Sequence, residues 1–117
     1  MLLGNLEPVV RLGMTMVLEE DGIEVVGAEE RPHALVLMAG RLSPDAVVLD
    51  LEQPGSRELG DRVRLASPDT TLIFWTRDED VMEVLDPGVS EPRRYFEAVS
   101  EELRNELVRS QVNRVER

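Results

Sequence analysis

A chain of 117 residues, 42% hydrophobic and 32% charged, has the composition of an ordinary globular domain and the length to bury one core. Its net charge of −11 argues against a phosphate-neutralising nucleic-acid surface, and the absence of cysteine excludes disulfides and thiolate metal sites. All 13 basic residues are arginine, so no step that needs a lysine amine is open to it, and one histidine, His33, is too few for a His-based metal site or triad.

No apolar run approaches the roughly 18 residues of a membrane span, and no basic-then-apolar leader opens the chain, so a cytoplasmic protein without membrane contact is expected. Met1–Gly4 reads as a short first strand. Pro8 suits the first turn of a helix, where a missing N–H costs nothing. Val10, Met14, Val17 and Leu18 then recur at helical spacing through Glu20, and Asp21-Gly22 closes the element. Ile23–Gly27 alternates as a second strand. From about Arg31 to Leu42, the residues Leu35, Met38 and Leu42 share one face of a second helix, which Ser43-Pro44 breaks.

The run Ala46–Leu49 is too short for a helix and too apolar for an exposed strand, so it reads as the central strand of a parallel sheet covered on both faces. It delivers a carboxylate, Asp50, at its carboxyl end, and the chain then turns at Pro54-Gly55. In open α/β sheets that end is where function collects. Leu59, Val63 and Ala66 mark a third helix, ended by Ser67-Pro68-Asp69, and Thr71–Thr76 is another buried strand.

Beyond Thr76, Val81, Met82, Val84 and Leu85 fit either a turn of amphipathic helix or a strand from Val81 to Asp86. The link Arg77–Asp80 is of hairpin length, which favours an antiparallel edge strand. Ser90 and Pro92 suit the start of a long helix over about 90–113, with Phe96, Val99, Leu103 and Leu107 as its buried stripe. Val108, Val112 and Val115 form a second stripe, rotated from the first, and Tyr95 lies near the start of that second face. A homodimer through this C-terminal helix is expected, because exposed valines repeated on a projecting face forgo burial. The fold class is therefore α/β: a doubly wound, mostly parallel, five-stranded sheet with an antiparallel edge strand and a long C-terminal helix, forming one domain over 1–117.

Two stretches carry a resemblance. Glu7-Pro8-Val9-Val10-Arg11-Leu12-Gly13-Met14, leading into Gly22-Ile23-Glu24-Val25-Val26-Gly27, and Pro44 to Gly55 are similar to a bacterial response-regulator receiver domain. They resemble the two-component signalling subfamily whose members carry a helix-turn-helix output domain for transcription regulation. Ser67-Pro68-Asp69-Thr70 and the strand ending at Thr76 continue the match, which covers residues 1 to about 76.

The resemblance implies a flavodoxin-like fold, with Asp50 at the phosphoacceptor position and Thr76 at the switch hydroxyl. It also places Asn5 and Leu6 where the family holds Mg²⁺ with an acidic pair. Leucine cannot ligate Mg²⁺, asparagine offers only a neutral oxygen, and the family's lysine has no counterpart in a chain without lysine. Arg77 follows the hydroxyl where the family favours a small residue. The expectation is a degenerate receiver, not an enzyme, with no cofactor and no metal. It would work through protein contacts, as a homodimer and with another signalling or regulatory protein. Asp50 and Thr76 would then hydrogen-bond loop backbone at the strand ends. The alternative is a Mg²⁺-dependent phosphoacceptor domain phosphorylated on Asp50. Paired acids such as Glu19-Glu20 read as helix surface, and no phosphate-cradling glycine loop is present.

Overall fold

The computed structural model describes residues 1–76 and 81–95. Their order is β1 (Leu2–Leu3), α1 (Pro8–Glu20), β2 (Gly27–Ala28), α2 (Pro32–Leu42), β3 (Ala46–Asp50), α3 (Ser56–Ala66), β4 (Thr71–Thr76), β5 (Val81–Leu85) and β6 (Arg93–Tyr95). The strands form one six-stranded sheet in the order β2-β1-β3-β4-β5-β6. β2, β1, β3 and β4 are mutually parallel, and β5 and β6 continue antiparallel. The first five strands follow the flavodoxin-like order of doubly wound sheets.

Helices cover both faces, as a parallel sheet requires. α1 lays Val10, Met14 and Leu18 on one face, against Leu3, Val48, Ile73, Met82 and Val84. α2 and α3 lay Leu35, Ala39, Leu59 and Val63 on the other, against Leu2, Val47, Leu49, Leu72 and Phe74. β3 is buried along its whole length because neighbours flank it and helices cover it above and below. α1 and α2 each begin on a proline. α1 is stopped where Gly22 takes φ +80°, and α2 where Ser43 turns left-handed ahead of Pro44.

Three expectations are corrected. The second strand is not Ile23–Gly27 but Gly27–Ala28, because only these residues pair with Leu2–Leu3. Before them the backbone reaches the first strand irregularly: the Met1 amino group donates to the Glu24 carbonyl (3.0 Å) and the Val26 N–H to the Met1 carbonyl (2.8 Å). The second correction concerns β5, which pairs antiparallel with β4 as expected, Thr76 facing Val81 and Leu72 facing Leu85, but is not the edge. The third follows from it. No helix starts at Ser90 or Pro92; Arg93–Tyr95 pair with Met82–Val84 as a sixth strand. A turn at Pro87-Gly88, with Gly88 at φ +76°, returns the chain along β5 and covers its open hydrogen-bonding edge. An Arg93–Asp86 ion pair (3.1 Å) spans that turn. The rest of the expected helix, with Val108, Val112 and Val115, lies outside the described residues.

Among the described residues, no helix is long and apolar enough to cross a membrane.

Candidate functional site

Parallel strands deliver their carboxyl ends to one side of the sheet, so the ends of β1, β3 and β4 bring Asn5, Asp50 and Thr76 together there. Asp50 lies at the last paired position of β3, opposite Trp75, and Thr76 ends β4 one residue later. Both are buried. Asp50 reaches only 3% exposure, and its Oδ1 accepts the Glu52 backbone N–H at 2.9 Å. The carboxylate therefore holds the turn that follows the strand, as expected of it. Arg77 lies outside the described residues.

Asn5 is bonded at both ends of its amide. Its Oδ1 accepts the Asp50 N–H at 2.8 Å, and its Nδ2 donates to Ser56 Oγ at 2.8 Å. The Ser56 hydroxyl in turn points at the carbonyl oxygens of Asp50 and Gln53, 2.9 Å from the latter. One asparagine and one serine thus tie the end of β1 to the end of β3 and to the first residue of α3. Leu6 is elsewhere: its side chain is 1% exposed and packs with Leu18 and Ile23 beneath α1. Glu7, one residue on, is exposed at the N-cap of α1.

These residues do not make the acidic pair that a Mg²⁺ ion would need in order to bridge a carboxylate and a phosphoryl group. The Asn5 carbonyl oxygen already serves the Asp50 N–H, and Leu6 offers no ligand. Among the described residues, no three His, Cys, Asp or Glu side chains converge. No family model matches the chain, and no curated protein matches it.

Two residues escaped the sequence reading. Ser56 stands just after Pro54-Gly55, where a hydroxyl at a helix start reads as a surface cap; it is buried because the left-handed Gly55 folds it back over Asp50. Glu83 is a lone charge in the apolar strand β5, yet it is 2% exposed. It pairs with Arg57 from the first turn of α3 (3.0 Å), and the Arg57 guanidinium lies 5.8 Å from the centre of the Phe74 ring. Its signal was the break in the run Val81-Met82-Glu83-Val84-Leu85. Of the residues read as a dimer surface, Tyr95 is in β6 by its backbone and the three valines lie outside the described residues.

Proposed function

We propose that this chain is a non-catalytic, receiver-like signalling module that works through protein contacts and pairs with a second copy of itself. The observation that carries the reading is the double use of Asn5. At the strand end where phosphoacceptance needs a cation-holding acid, the chain has a neutral amide committed to Asp50 and Ser56. Leu6 beside it serves the core, and Asp50 serves the loop. The strand order and the antiparallel departure after β4 suit a receiver-type sheet whose last third has been rebuilt.

The alternative, a phosphoacceptor domain, draws on one observation: Asp50 and Thr76 stand on neighbouring strand ends. Incubation with acetyl phosphate or beryllium fluoride and Mg²⁺, read by intact mass and fluorine NMR, separates the two. No adduct is expected. A stoichiometric adduct that disappears in Asp50→Asn would establish the alternative.

A further inference from the structure

α1 is apolar on two sides, and the sheet uses only one. Val10, Met14 and Leu18 face the core. At about 100° per residue, Val9, Leu12, Gly13 and Met16 fall on roughly the opposite side. The side chains of Val9, Leu12 and Met16 are 76%, 62% and 59% exposed. A helix apolar on both sides is ordinarily covered on both.

Gly13 stands in the middle of that outward face. Glycine inside a helix is destabilising against alanine, and nothing in the fold of one chain asks for it here. Its φ is not left-handed, and a Cβ added to it would meet nothing within 4 Å. The ends of α1 are equally unmatched. Its N-cap, Glu7, makes no side-chain hydrogen bond to the first turn, and that turn holds no acid. Its other end carries the exposed acids Glu19 and Glu20 with no basic residue in the last turn, against the helix dipole. α3, with Glu58 in its first turn and Arg64 in its last, is matched at both ends.

We infer that the outward face of α1 pairs with the same face of a second copy of this chain, the two helices antiparallel about a two-fold axis. The inference rests on the self-pairing proposed above. In such a pair each step forward along one helix is a step back along the other. Leu12 set opposite Gly13 of the second copy therefore puts Val9 opposite its Met16, and the axis makes both contacts twice. Leucine fills the space that the missing side chain leaves.

The same register answers the helix ends. Glu19 and Glu20 fall opposite residues 6 and 5 of the second copy, about 3–4.5 Å ahead of its Pro8 along the axis at 1.5 Å per residue. Helical side chains lean toward their own N-terminus, which carries these carboxylates toward the first turn of the other helix. The N–H groups of that turn point at them, at the positive end of the dipole. Each copy thus supplies the charge that the other lacks. The area fits an association that forms and parts. Val9, Leu12 and Met16 offer on the order of 300 Å² per copy, below the roughly 800 Å² of a stable interface, so the dimer is a weak one.

The test uses the full chain in sedimentation and light scattering from about 50 µM to 1 mM, the range that a contact of this size requires. Far-UV circular dichroism checks folding. The wild type should dimerise reversibly. Leu12→Glu/Met16→Glu should raise the dissociation constant about tenfold or more with unchanged dichroism. Gly13→Leu should also weaken pairing although it adds apolar surface, because it fills the space that Leu12 needs. The chain lacks cysteine, so Val9→Cys/Met16→Cys under mild oxidation should give a covalent dimer. Within one chain the two positions are on the order of 10 Å apart along the helix, beyond disulfide reach. Val9→Cys alone should stay unlinked, and its linkage would overturn the antiparallel arrangement. A monomeric wild type would overturn the self-pairing itself, and slow maleimide labelling of Leu12→Cys in that monomer would assign the face to the chain's own residues. A dimer indifferent to Leu12→Glu/Met16→Glu would overturn only this surface.

Discussion

Asn5 shows how one side chain settles the character of a strand-end site. Its amide accepts from the Asp50 N–H and donates to Ser56, so the end of β1, the end of β3 and the start of α3 share one polar knot. Asn5→Ala removes the acceptor for the Asp50 N–H at a largely buried position, and an unsatisfied group of that kind costs about 1–3 kcal/mol. Ser56→Ala should cost a similar amount, since its hydroxyl serves Asn5 and two loop carbonyls. Because the two belong to one network, Asn5→Ala/Ser56→Ala should cost less than their sum. Urea unfolding of the three variants measures this, and simple additivity would show the knot to be two separate bonds.

At the scale of elements, close approach decides which glycines matter. Gly4 follows β1 where its N–H donates to the Val48 carbonyl at 2.8 Å. A Cβ there would stand 2.5 Å from Leu49 Cδ2 and 2.9 Å from that same backbone oxygen. The oxygen belongs to the central strand and cannot yield, so Gly4→Ala should destabilise by about 1–3 kcal/mol. Gly13, inside α1 with nothing within 4 Å, is the contrast: Gly13→Ala should stabilise by about 0.5–1 kcal/mol. Thermal melts of the two should move in opposite directions.

The tie between α3 and β5 is ionic. Glu83 is buried on the antiparallel strand, and Arg57, itself 58% exposed, reaches over Phe74 to meet it. Removing the guanidinium with Arg57→Ala should cost about 1–3 kcal/mol, less than for a fully buried pair because water can partly replace an exposed arginine. Glu83→Leu in that background should recover most of the loss, since an apolar side chain suits the site once the cation is gone. Denaturant midpoints of the single and double variants decide. No recovery would mean that Glu83 is held by other groups of equal weight.

Across the whole molecule, charge governs what the surface meets. With 24 acidic residues against 13 arginines, the chain repels a phosphate backbone. Even nonspecific binding requires counterion release by clustered cations. At about 0.15 M salt, a protein concentration on the order of 50 µM should leave duplex DNA unshifted in an electrophoretic assay. A shift that weakened steeply with salt would contradict this and point to the arginines near the C-terminus.

Much of the layout was legible from residue order. The apolar run Ala46–Leu49 declared a strand buried on both faces, Pro8 and Ser43-Pro44 bounded helices, and the short Arg77–Asp80 link foretold an antiparallel turn of the chain. These signals are local: period, length and breakers act within a few residues, so sequence carries them. The acid at the strand end was equally plain, and its carboxylate accepts a backbone N–H of the loop that follows. What sequence could not settle lay in partners distant along the chain. Ser90 and Pro92 are good helix starters, yet the open edge of β5 drew Arg93–Tyr95 into the sheet, because edge hydrogen bonds compete with a local propensity of only tenths of a kcal/mol per residue. Ser56 and Glu83 look like surface polar residues until the fold sets Asn5 and Arg57 beside them. Only the tertiary structure decides such cases, since a buried polar group is tolerated according to what the rest of the chain brings within hydrogen-bonding reach.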